Sequence, residues 1–242
     1  MLNYNPIINN VNLNLDSEGY KLIRENIFNI NDETINEFHQ IKNNKNLPHH
    51  GGVKSVKVIK DPSKFKYLNN IYQQIILILK KNNMKYKFED VWAQNSNRNT
   101  TIKGQLPYIP HYDKIRKFKV MIYLNDINKD AGAIHYIKDM PDKYENFRKN
   151  LSEESFLKKE NGVKKYYISE YEDCYGPIGT TIFFDTNTPH FAGMINDNSS
   201  KRYLYRFNFI SSLKNNIFKK IIKKIRLTIH NKKTKTHKFT YR

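Results

Sequence analysis

The chain has 242 residues, a single cysteine (Cys174), a formal net charge of +19, and 38% hydrophobic and 13% aromatic residues. That length fits one domain with decorations, or at most two small ones, and can bury a sizeable core. One cysteine excludes an intramolecular disulfide, a thiolate zinc site and an iron–sulfur cluster, and no apolar run reaches the ~18 residues that a membrane helix needs.

The opening stretch, MLNYNPIINNVNLNLD, lacks a basic segment followed by an apolar block. No secretory leader is therefore expected, and the cytoplasm is the expected compartment. The charge is uneven. Residues 213–242 hold eleven Lys and Arg residues and no acid, so this tail carries +11 of the total. Such a block reads as an interaction tail or a solvated face. The whole chain is also rich in Asn, Lys and Ile, as codon supply from a genome poor in G and C would produce.

After an Asn-rich start, DSEGY (16–20) leads into the short apolar stretch KLIRENIF. Asn31 is placed to cap a helix over DETINEFHQIKNN, with acids in its first turn. LPHHGG (47–52) reads as a loop; His49 and His50 there are either metal candidates or solvated histidines. VKSVKVI (53–59) alternates as a strand does. Asp61-Pro62-Ser63 opens a helix whose apolar stripe is Leu68, Ile71, Tyr72, Ile75, Ile76 and Leu79, a packing face. KYKFEDVWAQN (85–95) reads as a strand, and its Trp92 either packs in the core, the safer reading, or walls a pocket.

From Ile102 the pattern is nearly all β. KFKVMIYLND, AIHYI, KKYYISE (164–170), TTIFFD (180–185), TPHFAG (188–193) and KRYLYRFNFI (201–210) are strands. Asp130-Ala131-Gly132 signals a hairpin, and PDKYENFRKNL (141–151) a helical insertion. Short strands with turn punctuation and helices placed ahead of them indicate a mostly β sandwich or barrel with flanking helices. In the tail, Leu213, Ile217, Phe218, Ile221, Ile222, Ile225 and Ile229 form one face of a basic amphipathic helix. It either docks on the body or meets an anionic membrane surface or nucleic acid.

Three residues carry a candidate metal site. His111 and Asp113 are two apart, so an extended segment points both the same way. His190 arrives from a strand 79 residues later, stiffened by Pro189. Two imidazoles and one carboxylate on one face, with open positions opposite, suit Fe(II). Arg202, twelve residues after His190, is a candidate for binding a carboxylate, and Arg206 shares its strand face. His135 is read as a core or pocket histidine.

PYIPHYDKIRKFKVMIYLNDINKDAGAIHYI and GPIGTTIFFDTNTPHFAGMINDNSSKRYLYRFNF resemble the Fe(II)/2-oxoglutarate-dependent dioxygenases, and most of all their phytanoyl-CoA dioxygenase-like branch. DSEGYKLIRENIF resembles the opening of that family. The likeness spans residues 13–210, so residues 1–212 are read as one jelly-roll domain and 213–242 as an added tail.

The resemblance implies a double-stranded β-helix, or cupin-like jelly roll. It implies His111, Asp113 and His190 as iron ligands, Arg202 on the distal carboxylate of 2-oxoglutarate, and Gln94 as a polar contact to that cosubstrate. Arg206 could share the role of Arg202. With O2, such an enzyme would release succinate and CO2 and hydroxylate a C–H bond of a small, possibly anionic, metabolite or biosynthetic intermediate.

The sequence departs from the branch at Lys138-Asp139-Met140-Pro141, where many relatives have Pro-Gly-Ser-His. Asp113 is present, which argues against the halogenating relatives. Two other readings stay open. One is a non-catalytic jelly-roll binding protein using its basic tail; the other is a cupin-like metal enzyme without 2-oxoglutarate.

Overall fold

A computed structural model describes residues 6–43, 47–49, 54–97, 108, 110–113, 115–138, 141, 171–196 and 200–211. After a 3-10 turn at Pro6–Asn10 come α1 (Leu15–Glu18), β1 (Tyr20–Ile23), α2 (Asp32–Lys42), β2 (Leu47–His49), β3 (Lys54–Ile59) and α3 (Lys66–Lys81). The strands β4 (Tyr86–Ser96), β5 (Phe118–Tyr123), β6 (Ile134–Tyr136), β7 (Glu172–Cys174), β8 (Thr181–Asp185), β9 (His190–Ala192) and β10 (Arg202–Ser211) follow.

The strands form two antiparallel sheets. The larger runs β1-β8-β5-β10-β4-β3-β2, and the smaller runs β7-β6-β9. An isolated bridge, His111 with His190, adds the segment before β5 to the edge of the smaller sheet. This is the double-stranded β-helix expected from the sequence. β10 is hydrogen-bonded on both sides, to β5 and to β4, so its side chains are fixed in register with two neighbours.

Alternation along β10 divides the interior into two layers. Tyr205, Phe207 and Phe209 face outward and pack with Phe118, Val120, Ile122 and the helices in one apolar cluster. Leu204 packs between the sheets with Met121, Tyr123, Ile134, Tyr136, Ile182 and Phe184. Arg202, Leu204, Arg206 and Asn208 share the inward face of their strand by the same alternation.

The helices form as the sequence predicts. The Asn31 side chain accepts from Thr34 N, and Asp32 and Glu33 sit in the first turn of α2. Glu37 of α2 then caps the next helix, accepting from Tyr67 N and Leu68 N. Asp61-Pro62-Ser63 begins a 3-10 turn, and α3 proper starts at Lys66. α3 buries Leu68, Ile71, Ile75, Ile78 and Leu79 on the larger sheet, each worth ~1.5–3 kcal/mol relative to exposure. Gln74 is buried in the same stripe, and neither atom of its amide finds a hydrogen-bond partner among the described residues.

Several expectations change. Residues 47–49 are a strand at the edge of the larger sheet, paired with β3, where a loop was expected. The stretch after Gly19 opens as β1, with Gly19 at φ 75° ending α1.

Asp130-Ala131-Gly132 turns the chain, but it does not fold β6 back on β5. β5 stays in the larger sheet and β6 enters the smaller one, so the turn is a corner between sheets. Gly132 has φ +76°, and a Cβ there would meet Ile195 Cγ1 at 2.7 Å and Gly193 O at 3.0 Å. Glycine suits this backbone for both reasons. The helix expected at 141–151 (beyond Pro141), the strand expected at 164–170 and the tail 213–242 lie outside the described residues.

Candidate metal centre and the cleft beside it

His111 and His190 are held by one pair of backbone hydrogen bonds. His111 N donates to His190 O at 2.9 Å, and His190 N donates to His111 O at 2.8 Å. Two residues on, Asp113 N donates to Thr186 O at 3.0 Å, which holds the H-x-D segment extended. The two-residue spacing therefore acts as expected, and both side chains reach the same place. Asp113 Oδ1 lies 3.8 Å from His111 Nε2 and 3.6 Å from His190 Nε2. Ligand atoms of the three residues all fall within 4.8 Å of one another. Both histidines are buried, at 6% and 5% exposure.

The protonation states suit a cation. His190 Nδ1 donates to the Thr188 carbonyl at 2.7 Å, which leaves the Nε2 lone pair facing the centre. Burial first, and the neighbouring His111 next, push its pKa down to about 3, so the ring is neutral. Burial alone would raise the Asp113 carboxyl, but the Lys119 ammonium and the two imidazoles outweigh it and hold the group well below the usual carboxylate range. Lys119 Nζ donates to Asp113 Oδ2 at 2.5 Å and leaves Oδ1 toward the imidazoles. Lys119 was not singled out from sequence. In so lysine-rich a chain, only its inward position on β5, six residues after Asp113, marks it.

Tyr136 stacks on His190 with ring centroids 5.5 Å apart, and Phe184 meets it edge-on at 5.6 Å. The Tyr136 hydroxyl is buried without a hydrogen-bond partner among the described residues. His135 lies on the opposite face of β6 from Tyr136. It pairs with Asp173 at 2.6 Å and stacks on Phe191 at 4.2 Å, consistent with a packing histidine and not a fourth ligand. His49 ends β2 at the far edge of the larger sheet, and His50 lies outside the described residues.

Arg202 is 2% exposed between the sheets. It donates to the Gly132 carbonyl, yet its Nε has no partner among the described residues. A buried guanidinium with an orphaned donor fits the distal carboxylate of a dicarboxylic acid. Gln94 lies on the same inward face, on the neighbouring strand, and donates to Ser96 Oγ at 3.1 Å.

Of the two places open to Trp92, core or pocket wall, the structure shows the second. It is half-buried and walls a cleft of about 270 Å³ lined also by Asp90, Asp113, Lys119, Arg206 and Asn208. The Arg206 guanidinium lies 3.8 Å from the centroid of its ring.

No protein-family model and no curated protein sequence matches this chain. Solved structures do. The 2-oxoglutarate-dependent carbocyclase SnoK from nogalamycin biosynthesis superposes with a TM-score of 0.60 at 13% identity, over 82% of this chain and 81% of that one. The fold is the one such enzymes use. The non-haem epimerase SnoN from the same biosynthesis gives 0.59 at 11% identity, over 82% and 80%. HygX from Streptomyces hygroscopicus gives 0.51 at 13% identity, over 82% and 85%, and was solved with nickel, 2-oxoglutarate and hygromycin B bound. SnoN was also solved with Fe3+, 2-oxoglutarate and nogalamycin RO.

Proposed function

We propose that this protein is an Fe(II)- and 2-oxoglutarate-dependent oxygenase acting on a small molecule. The observation that carries the reading is the meeting of His111, Asp113 and His190 in a buried place between the sheets of this particular fold. The donor set fits: two imidazole nitrogens and one carboxylate oxygen suit Fe(II) and leave open positions opposite. The bound iron and cosubstrate would couple O2 reduction and release of succinate and CO2 to oxidation of a substrate C–H bond.

The chain's own residues supply position and dryness. His190 presents Nε2 because Thr188 holds Nδ1. Asp113 presents Oδ1 because Lys119 holds Oδ2. Tyr136 and Phe184 exclude water on the His190 side. Arg202 would clamp the distal carboxylate of 2-oxoglutarate, with its guanidinium fixed by Gly132, and Gln94 would line the same path. Arg202 has no carboxylate partner among the described residues, which supports this assignment.

The resemblance of the motif segments to the phytanoyl-CoA dioxygenase-like branch is what supports that branch, and hydroxylation as the outcome. The neighbours whose structures carry nogalamycin RO and hygromycin B support a small-molecule substrate in place of a polymer. No described helix is long and apolar enough to cross a membrane.

The test is anaerobic. Fe(II) and then 2-oxoglutarate are added to the purified protein, and the visible metal-to-ligand charge-transfer band is recorded. The band is expected in the native chain and absent from His190→Ala and Arg202→Ala. Iron binding without a band would point to a cupin-like metal enzyme that does not use this cosubstrate. Binding of neither would leave the jelly roll as a scaffold.

A further inference from the structure

The inward face of β10 carries two arginines, and neither has a carboxylate partner among the described residues. Arg202 is the deeper one. Arg206, four residues along, packs its guanidinium against Trp92, and its Nε is buried without a hydrogen-bond partner among the described residues. The other cations around this cleft are already answered. Lys119 pairs with Asp113 at 2.5 Å, Lys117 with Glu89 at 2.5 Å, and Lys60 with Asp90 at 3.0 Å. Asp90 also accepts from Asn208 Nδ2 at 2.6 Å. Arg206 is half-buried and, among the described residues, makes no direct ion pair with the Asp113 and Asp90 carboxylates that act on it across the cleft, so its fork can take an anion that enters from solvent. Arg206 lines the same cleft as Asp113, so a group bound there sits beside the metal centre.

We propose that this cleft is a subsite for the oxidised substrate, taking an oxyanion group (carboxylate, sulfonate or phosphate) on the fork of Arg206, with Trp92 as the wall that stiffens it. The proposal rests on the oxygenase reading, in which Arg202 holds the cosubstrate. Four residues of extended strand separate the two Cα atoms by about 13 Å, and side chains standing parallel on one face keep much of that spacing, which favours two anions over one shared carboxylate. Arg206 is thus a specificity-determining residue, selecting anionic molecules among those small enough to enter.

Trp92 is the only tryptophan in the chain, so its fluorescence reports this cleft alone. Inorganic phosphate is titrated into the full chain at constant ionic strength, with chloride as the control salt and calorimetry as a second readout. The titration is run with and without Fe(II) and 2-oxoglutarate under anaerobic conditions. The expected result is a saturable response to phosphate that chloride does not reproduce and that saturating 2-oxoglutarate leaves in place. R206M is expected to weaken phosphate binding by about tenfold or more, with R206K intermediate because it keeps the charge and loses the fork. R206M should still form the charge-transfer band.

A native protein that shows no saturable response overturns the proposal. So does a phosphate response displaced by 2-oxoglutarate, or loss of the band in R206M, either of which assigns Arg206 to the cosubstrate. Phosphate binding through Arg206 in a native protein that forms no band would sink the cofactor reading and leave the anion subsite standing.

Discussion

Lys119 takes one oxygen of Asp113 and leaves the other facing two imidazoles, so a single ammonium decides how that carboxylate is presented. It is 9% exposed, and burial, working against the Asp113 charge, lowers its pKa. A partner of this kind sets ligand orientation, and removing one typically weakens metal binding 10–100-fold. Lys119→Met is therefore expected to reduce Fe(II) affinity by at least about tenfold while leaving the far-ultraviolet circular dichroism unchanged. Competition with a chromophoric chelator under anaerobic conditions measures it; an unchanged affinity would mean that other contacts orient Asp113. At this scale the sequence was legible where spacing carries geometry. His111 and Asp113 converge because a strand repeats every two residues, and His190 was marked by its proline and its place near the end of the β block. Lys119 was hidden by a composition in which a lysine on a strand attracts no notice. Trp92 stays undecided between core and pocket wall in the sequence because an aromatic residue in a strand looks the same whether it faces the core or a cleft.

Among the elements, α3 was the easiest to read, since its apolar stripe recurs at helical spacing. The stripe did not reveal that Gln74 sits inside it. A buried amide without partners loses its hydration for nothing, so Gln74→Met, of similar length and shape, is expected to stabilise the protein by about 1 kcal/mol, or some 2–4 °C in Tm. A lower Tm would show that the amide is satisfied in solution.

The contact between α2 and β3 makes a second prediction. Lys42 Nζ donates to Ser55 O and Oγ, both at 2.8 Å, and burial together with nearby Lys57 pushes its pKa from 10.5 down to about 8. Between pH 8 and 10.5 the unfolded chain therefore holds the Lys42 proton more often than the native chain does. Stability from this site must rise with pH across that window, and below it the cost of the buried charge is fully present. Urea melts at the two ends of the window should show a gain in the native chain that is smaller in Lys42→Met. The turn at Asp130–Gly132 was read as a hairpin because Asp, Ala and Gly announce a reversal. They do not say which sheet receives the next strand. That choice is made by the side chains of β6, whose Ile134 and Tyr136 are buried between the sheets.

For the molecule as a whole, residues 213–242 lie beyond the stretch that carries the sequence resemblance, and they lie outside the described residues. Truncation after residue 212 is expected to leave thermal unfolding and the Fe(II)–2-oxoglutarate band intact, and to remove affinity for anionic lipid vesicles or polynucleotide. Loss of folding would instead make the tail part of the body. The position of β10 has a further consequence. It lies inside the seven-stranded sheet, paired along most of its length on both sides, while β1 and β2 form the edges. Local opening of a sheet begins at its edges, and the amides that exchange last with solvent are those of its interior strands. Both arginines stand on the strand whose amides should be among the slowest to exchange. The surface that receives anions would then outlast the periphery under mild denaturant, and the protein could lose its outer strands transiently without losing its hold on what it has bound.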